Sequence, residues 1–197
     1  MLAARISQAL NDYLHQNPPV YWKIPENPAP RIAAILIALF REGSDWYLPF
    51  ILRNTYDGVH SGQVAFPGGK YDTTDEDLIA TALRETMEEI GVPVSRSQVV
   101  GQLHKLYIPP SHTIVHPIVA LLPNPPVFNP DLHEVAEVFT LPVSYLKRPD
   151  IRGVREIALP NGNKTPFTTF RVAEKKEIWG ATARMLTEFL AAIQSVL

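Results

Sequence analysis

Apolar residues recur at three- and four-residue intervals in three stretches of the chain, and each recurrence predicts a helix. Leu2, Ile6, Leu10, Tyr13 and Leu14 place the first over residues 1–16. The segment that follows, NPPVYWKIPENPAPR, carries too much proline for a helix or a central strand and reads as an extended arm. Residues 1–30 are therefore expected to be a helix and arm docked on the domain or on a second subunit, and residues 31–197 the domain itself. Ile79, Leu83, Met87 and Ile90 predict the second helix over 75–90, capped by Thr74 or Asp75 and stopped by Gly91 and Pro93. Met185, Leu186, Phe189, Leu190 and Ile193 form the core stripe of the third, over 181–197.

Between the helices the pattern changes. Residues 31–40 are nearly all apolar, as in a strand covered on both faces, and a turn at 41–45 leads into a second strand at 46–52. Pro49 marks an edge or a bulge there. Residues 99–107, 113–122 and 134–139 read as further strands. Strands at 152–159 and 167–172 flank Pro160-Asn161-Gly162-Asn163, a hairpin signal. Mixed strands with one central and one terminal helix predict an α/β fold, a sheet clamped between helices.

The polar face of the second helix changes the picture. At roughly 100° per residue, Glu85, Glu88 and Glu89 share one arc opposite the apolar stripe. Like charges so placed need either full exposure to water or a cation between them, and a solvated face is the usual outcome for an isolated Glu-Glu pair. Two neighbours argue for the cation. Arg84 lies two turns after Glu76 and can bridge to it, and Pro67-Gly68-Gly69 brings bare backbone close to the helix. A hard dication takes carboxylate, carbonyl, water and phosphate oxygens. The formal charge of -2 without basic runs excludes nucleic acid or an anionic membrane as the main partner. The absence of cysteine removes disulfides, thiolate zinc sites and a cysteine nucleophile. Without a membrane-length apolar run or a signal peptide, the expected location is the cytoplasm.

Gly69, Glu76, Arg84-Glu85, Glu88-Glu89, Gly91 and Val92 resemble the signature box of the Nudix hydrolases. The spacing from Glu76 onward agrees with the box, with Thr86 in place of an aliphatic residue. The loop from Gly69 to Glu76 is one residue longer than usual, which leaves Asp75 as the rival of Glu76. The resemblance implies an α/β/α sandwich with a mixed central sheet and a catalytic loop-helix. It further implies that Glu85, Glu88 and Glu89, with the Gly69 carbonyl, hold Mg²⁺ or Mn²⁺ while water attacks a diphosphate. Arg84 would orient the cluster through Glu76. The general base would be one of these glutamates or a downstream one, Glu134 or Glu137; strand alternation sends that pair to opposite faces, and Glu134 is favoured. Arg53, Gly68 and Gly69 are the candidate substrate contacts, although a solvated arginine at a strand end is an equal reading of Arg53.

A second set of motifs is similar to the coenzyme A pyrophosphatase branch of that family. Gly62 with Phe66-Pro67-Gly68-Gly69, Pro110-Ser111, the run Glu134 to Val138 before Leu141-Pro142, and the run Ile178 to Ala183 all match it. Gly58 stands where the branch has an arginine, and Pro49-Phe50-Ile51 where it has Leu-Leu-Thr. The resemblance implies cleavage of coenzyme A or its thioesters to (acyl-)4'-phosphopantetheine and adenosine 3',5'-bisphosphate. Another nucleoside diphosphate such as ADP-ribose is the alternative substrate, and a non-catalytic nucleotide-sensing module on the same fold the alternative class. His60 and Ser61 are assigned no catalytic role, and His112, His116 and His133 lack zinc-site spacing. A homodimer through the N-terminal helix and arm is a further expectation.

Overall fold

The computed structural model describes residues 1–19, 24, 27–55, 57, 60–158, 164–173 and 176–197. The chain folds as a mixed sheet between helical layers, an α/β sandwich. Its centre is β1 (Arg31–Glu42), flanked by β2 (Asp45–Arg53), β4 (Gly68–Lys70) and β7 (Thr113–Leu121). β1 runs parallel to β7 from Arg31 to Leu39 and antiparallel to the other two. It changes partners along its length: Ala33–Ile35 pair with Lys70–Gly68, whereas Phe40–Glu42 pair with β2. β2 then carries the sheet outward to β3 (Val64–Ala65) and β8 (Val135–Pro142).

Successive side chains of a strand alternate faces, so β1 supplies two cores. Ala33, Ile35, Ile37 and Leu39 join one layer with Ile6 and Leu10 of α1 (Leu2–Gln16) and with α4 (Gly180–Ala192). Ala34, Leu36, Ala38 and Phe40 face α2 (Leu78–Ile90) on the other side. Ile6 and Leu10 are fully buried, which stabilises by roughly 1.5–3 kcal/mol each. A Cβ on Gly101 would lie 2.9 Å from Leu10 Cδ1, so the missing side chain of that residue seats α1 on the sheet. α1 is thus part of the core. The arm is pinned at its end by His112, whose ring bonds the Tyr107 hydroxyl and the Pro28 carbonyl, both at 2.7 Å.

Several boundaries differ from the sequence expectation for physical reasons. The single strand expected over 99–107 is two, β5 (Val99–Gln102) and β6 (Leu106–Ile108). The ladder breaks opposite His116 and Pro117 of β7, where proline offers no N–H and the Pro117 carbonyl instead accepts Leu103 N–H at 3.0 Å. Pro49 sits where β2 has left β1 at Tyr47 and not yet reached β3 at Ile51. A separate sheet joins β9 (Arg152–Ala158), β10 (Lys164–Ala173) and the unexpected β11 (Lys176–Ile178). The Pro160–Asn163 turn lies outside the described residues, and its flanks pair antiparallel from Lys164↔Ala158 to Phe170↔Arg152. α3 is the short helix Val143–Leu146, and α4 ends at Ala192 rather than at the terminus. Among the described residues no helix is long and apolar enough to cross a membrane.

Candidate active site

The site forms where β4 passes between β1 and α2. α2 begins at Leu78, with the Asp77 carboxylate accepting the Ala80 N–H at 2.9 Å, and ends at Gly91 in the left-handed region. Asp75 is not the expected cap because its carboxylate is used elsewhere. The buried face also departs from the apolar stripe: it comprises Thr81, Ala82, Thr86, Glu89 and Ile90, while Met87 is 51% exposed. Ala82 packs in one cluster with Ala34 of β1, and these small side chains bring the helix close to the sheet. That proximity puts a carboxylate into the layer.

Glu89, 2% exposed, accepts the Gly68 N–H at 2.7 Å, and Arg53 Nη2 lies 3.4 Å from its other oxygen. The same Arg53 nitrogen donates to the Gly68 carbonyl at 3.0 Å. Gly68 is therefore gripped on both its amide groups. Its φ of +144 and the 2.4 Å that would separate a Cβ from the Ala34 carbonyl oxygen require glycine. Burial pushes Glu89 up to about 7, against the pull of Arg53 and the Gly68 amide, and the charges of Glu85 and Glu134 add to the rise. Burial also raises Glu85, opposed by Arg84 and reinforced by Glu88 and Glu134. A Cβ on Gly69 would lie 2.1 Å from a Glu85 oxygen, so that carboxylate rests on bare backbone.

Arg84 ties the loop to the helix. It holds Asp75 through two hydrogen bonds, at 2.9 and 3.0 Å, and reaches Glu85 at 2.9 Å, Glu88 at 2.7 Å and the Lys70 carbonyl at 3.1 Å. The expectation that Arg84 works through Glu76 is corrected: Glu76 is 86% exposed and among the described residues its ion pair is with Arg96, at 3.9 Å. Asp75 wins because it sits under the helix, accepting also the Thr81 hydroxyl at 2.8 Å and the Asp72 N–H at 3.1 Å. Arg84, first of all, holds Asp75 well below the usual carboxylate range. Counting from Gly69 gives the signal, since Asp75 restores the usual loop length.

The structure brings Glu85, Glu89, Arg84, Arg53, Gly68 and Gly69 together. Glu88 stays at the rim, 58% exposed, turned to Arg84. The three carboxylates expected to share one arc opposite the apolar stripe are instead graded, from buried Glu89 to exposed Glu88. Glu134, just before β8, stands near enough for its charge to act on Glu85 and Glu89, whereas Glu137 is engaged by Lys176 at 2.6 Å. Arg53 is no solvated strand end, because it clamps Gly68. Gly58 lies outside the described residues.

Among the described residues no three Asp, Glu or His side chains are gathered tightly enough to enclose an ion. A divalent ion of the Mg²⁺ kind does not need such a cage, since it keeps waters and takes one or two carboxylates together with substrate phosphates. Glu85 and Glu89 fit that donor set: both are desolvated carboxylates, raised by burial and by the charge of Glu134, with Glu85 adding to the rise of Glu89, beside a backbone left bare at Gly69.

The NUDIX domain profile matches residues 29–160. The chain belongs to the Nudix family. Nudix enzymes are metal-dependent hydrolases of diphosphate bonds, and this chain is a pyrophosphohydrolase of that kind. Among its relatives is the human "Mitochondrial coenzyme A diphosphatase NUDT8", 35% identical over 162 residues, covering 81% of this chain and 68% of that protein. "Uncharacterized Nudix hydrolase NudL" of Photorhabdus laumondii is 31% identical over 96% of this chain and 98% of its own length. A crystal structure of a MutT/nudix family protein from Enterococcus faecalis shares the fold at 18% identity with TM-score 0.60, covering 96% of this chain and 69% of that one.

The two adjacent glycines of β4 are expected to fail differently. In Gly69→Ala the clash falls on the flexible end of Glu85, so hydrolysis should drop about 10–100-fold while stability in urea stays within about 1 kcal/mol. In Gly68→Ala the clash falls on β1 backbone, and unfolding should be easier by about 3 kcal/mol; the reverse ordering would contradict this geometry. Asp75→Asn should cost about 2 kcal/mol at neutral pH and Glu76→Gln no more than about 0.5. Because the Asp75 carboxyl is depressed in the folded state, its contribution is present above about pH 4 and is lost as pH falls further. Urea titrations of both variants and the wild type between neutral and acid pH measure it.

Proposed function

We propose that the protein hydrolyses the diphosphate of coenzyme A or acyl-coenzyme A with Mg²⁺ or Mn²⁺, yielding (acyl-)4'-phosphopantetheine and adenosine 3',5'-bisphosphate. The observation that carries the diphosphate chemistry is the buried Glu89 carboxylate lodged on the Gly68 amide beside Glu85. The coenzyme A assignment is supported by relatives named as coenzyme A diphosphatases, from human and mouse, at 34–36% identity.

Glu85 and Glu89, with the Gly69 backbone and with Glu88 swung from Arg84, would hold the ion. When bound, the ion neutralises phosphate charge and lowers the pKa of water. The remaining work falls to the chain. Arg84, anchored by Asp75, holds Glu85 and Glu88 in place, and Arg53 fixes the Gly68 turn. Glu134, exposed and unburdened by an ion pair among the described residues, takes the proton of the attacking water. A P–O bond forms to that water, the bridging P–O bond breaks, and the second phosphate leaves as a monoester.

Mass spectrometry of products tests this, with coenzyme A, acyl-coenzyme A, ADP-ribose and dinucleoside polyphosphates offered with and without metal. The expected result is metal-dependent cleavage of coenzyme A, reduced at least about 100-fold in Glu89→Gln. Cleavage of ADP-ribose but not coenzyme A would overturn the substrate, and no cleavage of any compound the enzyme class.

A further inference from the structure

A cavity of about 680 Å³ opens on the opposite edge of the main sheet from the carboxylate cluster. It lies between β6, the exposed side of α4, the end of α1 and β10. β6 is separated from β4 by β7 and β1, which at ordinary strand spacing is roughly 14 Å. None of the Nudix-box residues lines it. The volume suits a ligand of small-molecule size.

The lining has a definite chemistry. Lys105 and Arg184 both face it, and among the described residues neither is in a salt bridge. The one carboxylate there, Glu188, is already engaged: a single oxygen takes the His104 backbone N–H at 3.0 Å and meets His104 Nδ1 at 2.7 Å. Both of these side chains are largely buried, at 16% and 18% exposed. Tyr13, Tyr107 and Phe167 add flat apolar walls. Arg184 and Glu188 lie one helical turn apart on α4, so the guanidinium and the engaged carboxylate project from the same helix face. The cavity thus presents two cations that form no salt bridge among the described residues, with one carboxylate turned to His104, beside an aromatic lining, which matches an anionic group on a flat or aliphatic body.

We propose that this cavity is a second binding site, for a small organic anion with an apolar body, distinct from the diphosphate site. The probe is 8-anilinonaphthalene-1-sulfonate, titrated into the full-length protein by fluorescence and calorimetry, with inorganic phosphate as a bare-anion competitor. Wild type and Glu89→Gln should each bind one equivalent, and phosphate should not displace it. Lys105→Glu with Arg184→Glu, two exposed positions, should weaken binding by at least about tenfold. Phe167→Ala should weaken it too without changing charge. Absence of stoichiometric binding, an affinity within about twofold of wild type in the charge-reversed variant, or loss in Glu89→Gln would overturn the proposal.

Discussion

A carboxylate placed inside a protein is costly unless something nearby compensates it, and here the compensation organises the molecule. Glu89 is 2% exposed and is held by the Gly68 N–H and by Arg53. For the amide to reach it, Gly68 must adopt a backbone closed to other residues and lie against Ala34 of β1. For the helix to reach the amide, α2 must come close to the sheet, which Ala34 and Ala82 permit. β4 must also leave β1 room to pair on, and β1 hands its far end to β2. The compensation is incomplete, since Glu89 remains raised, and the unspent negative potential is the property a divalent cation would use.

Structure and chemistry are divided between two carboxylate groups. Asp75 is depressed, fully hydrogen-bonded and committed to Arg84, so it serves as an anchor. Glu85 and Glu89 are raised, so they are the groups with electrostatic work left to do. Arg84 joins the two groups, and its reach to Lys70 fastens the helix to the end of β4. Opposite directions of shift thus distinguish the carboxylate committed to Arg84 from those a cation would use.

Much of this was legible in the sequence because its signals are local. Apolar periodicity located α1, α2 and α4, continuous apolar residues marked β1 as buried on both faces, and the glycine pair and glutamates marked the candidate site. What escaped depends on tertiary geometry. Ile79, Leu83, Met87 and Ile90 define a stripe, but Met87 is exposed because α2 turns its small residues and Glu89 inward to meet β4. Asp75 and Glu76 are adjacent and chemically alike, and only the position under the helix chooses Asp75. The break between β5 and β6 follows from Pro117 on a partner strand distant in sequence from the break it causes.

Glu85 and Glu89, beside Gly69, would be where a divalent cation meets a diphosphate. Crystals grown with Mn²⁺ and a non-hydrolysable diphosphate analogue would locate the metal directly by its anomalous scattering. The peak is expected at the Glu85 and Glu89 oxygens next to β4, with analogue phosphate oxygens completing the shell. A peak at Asp72 and Asp75, or metal bound only away from α2, would contradict it.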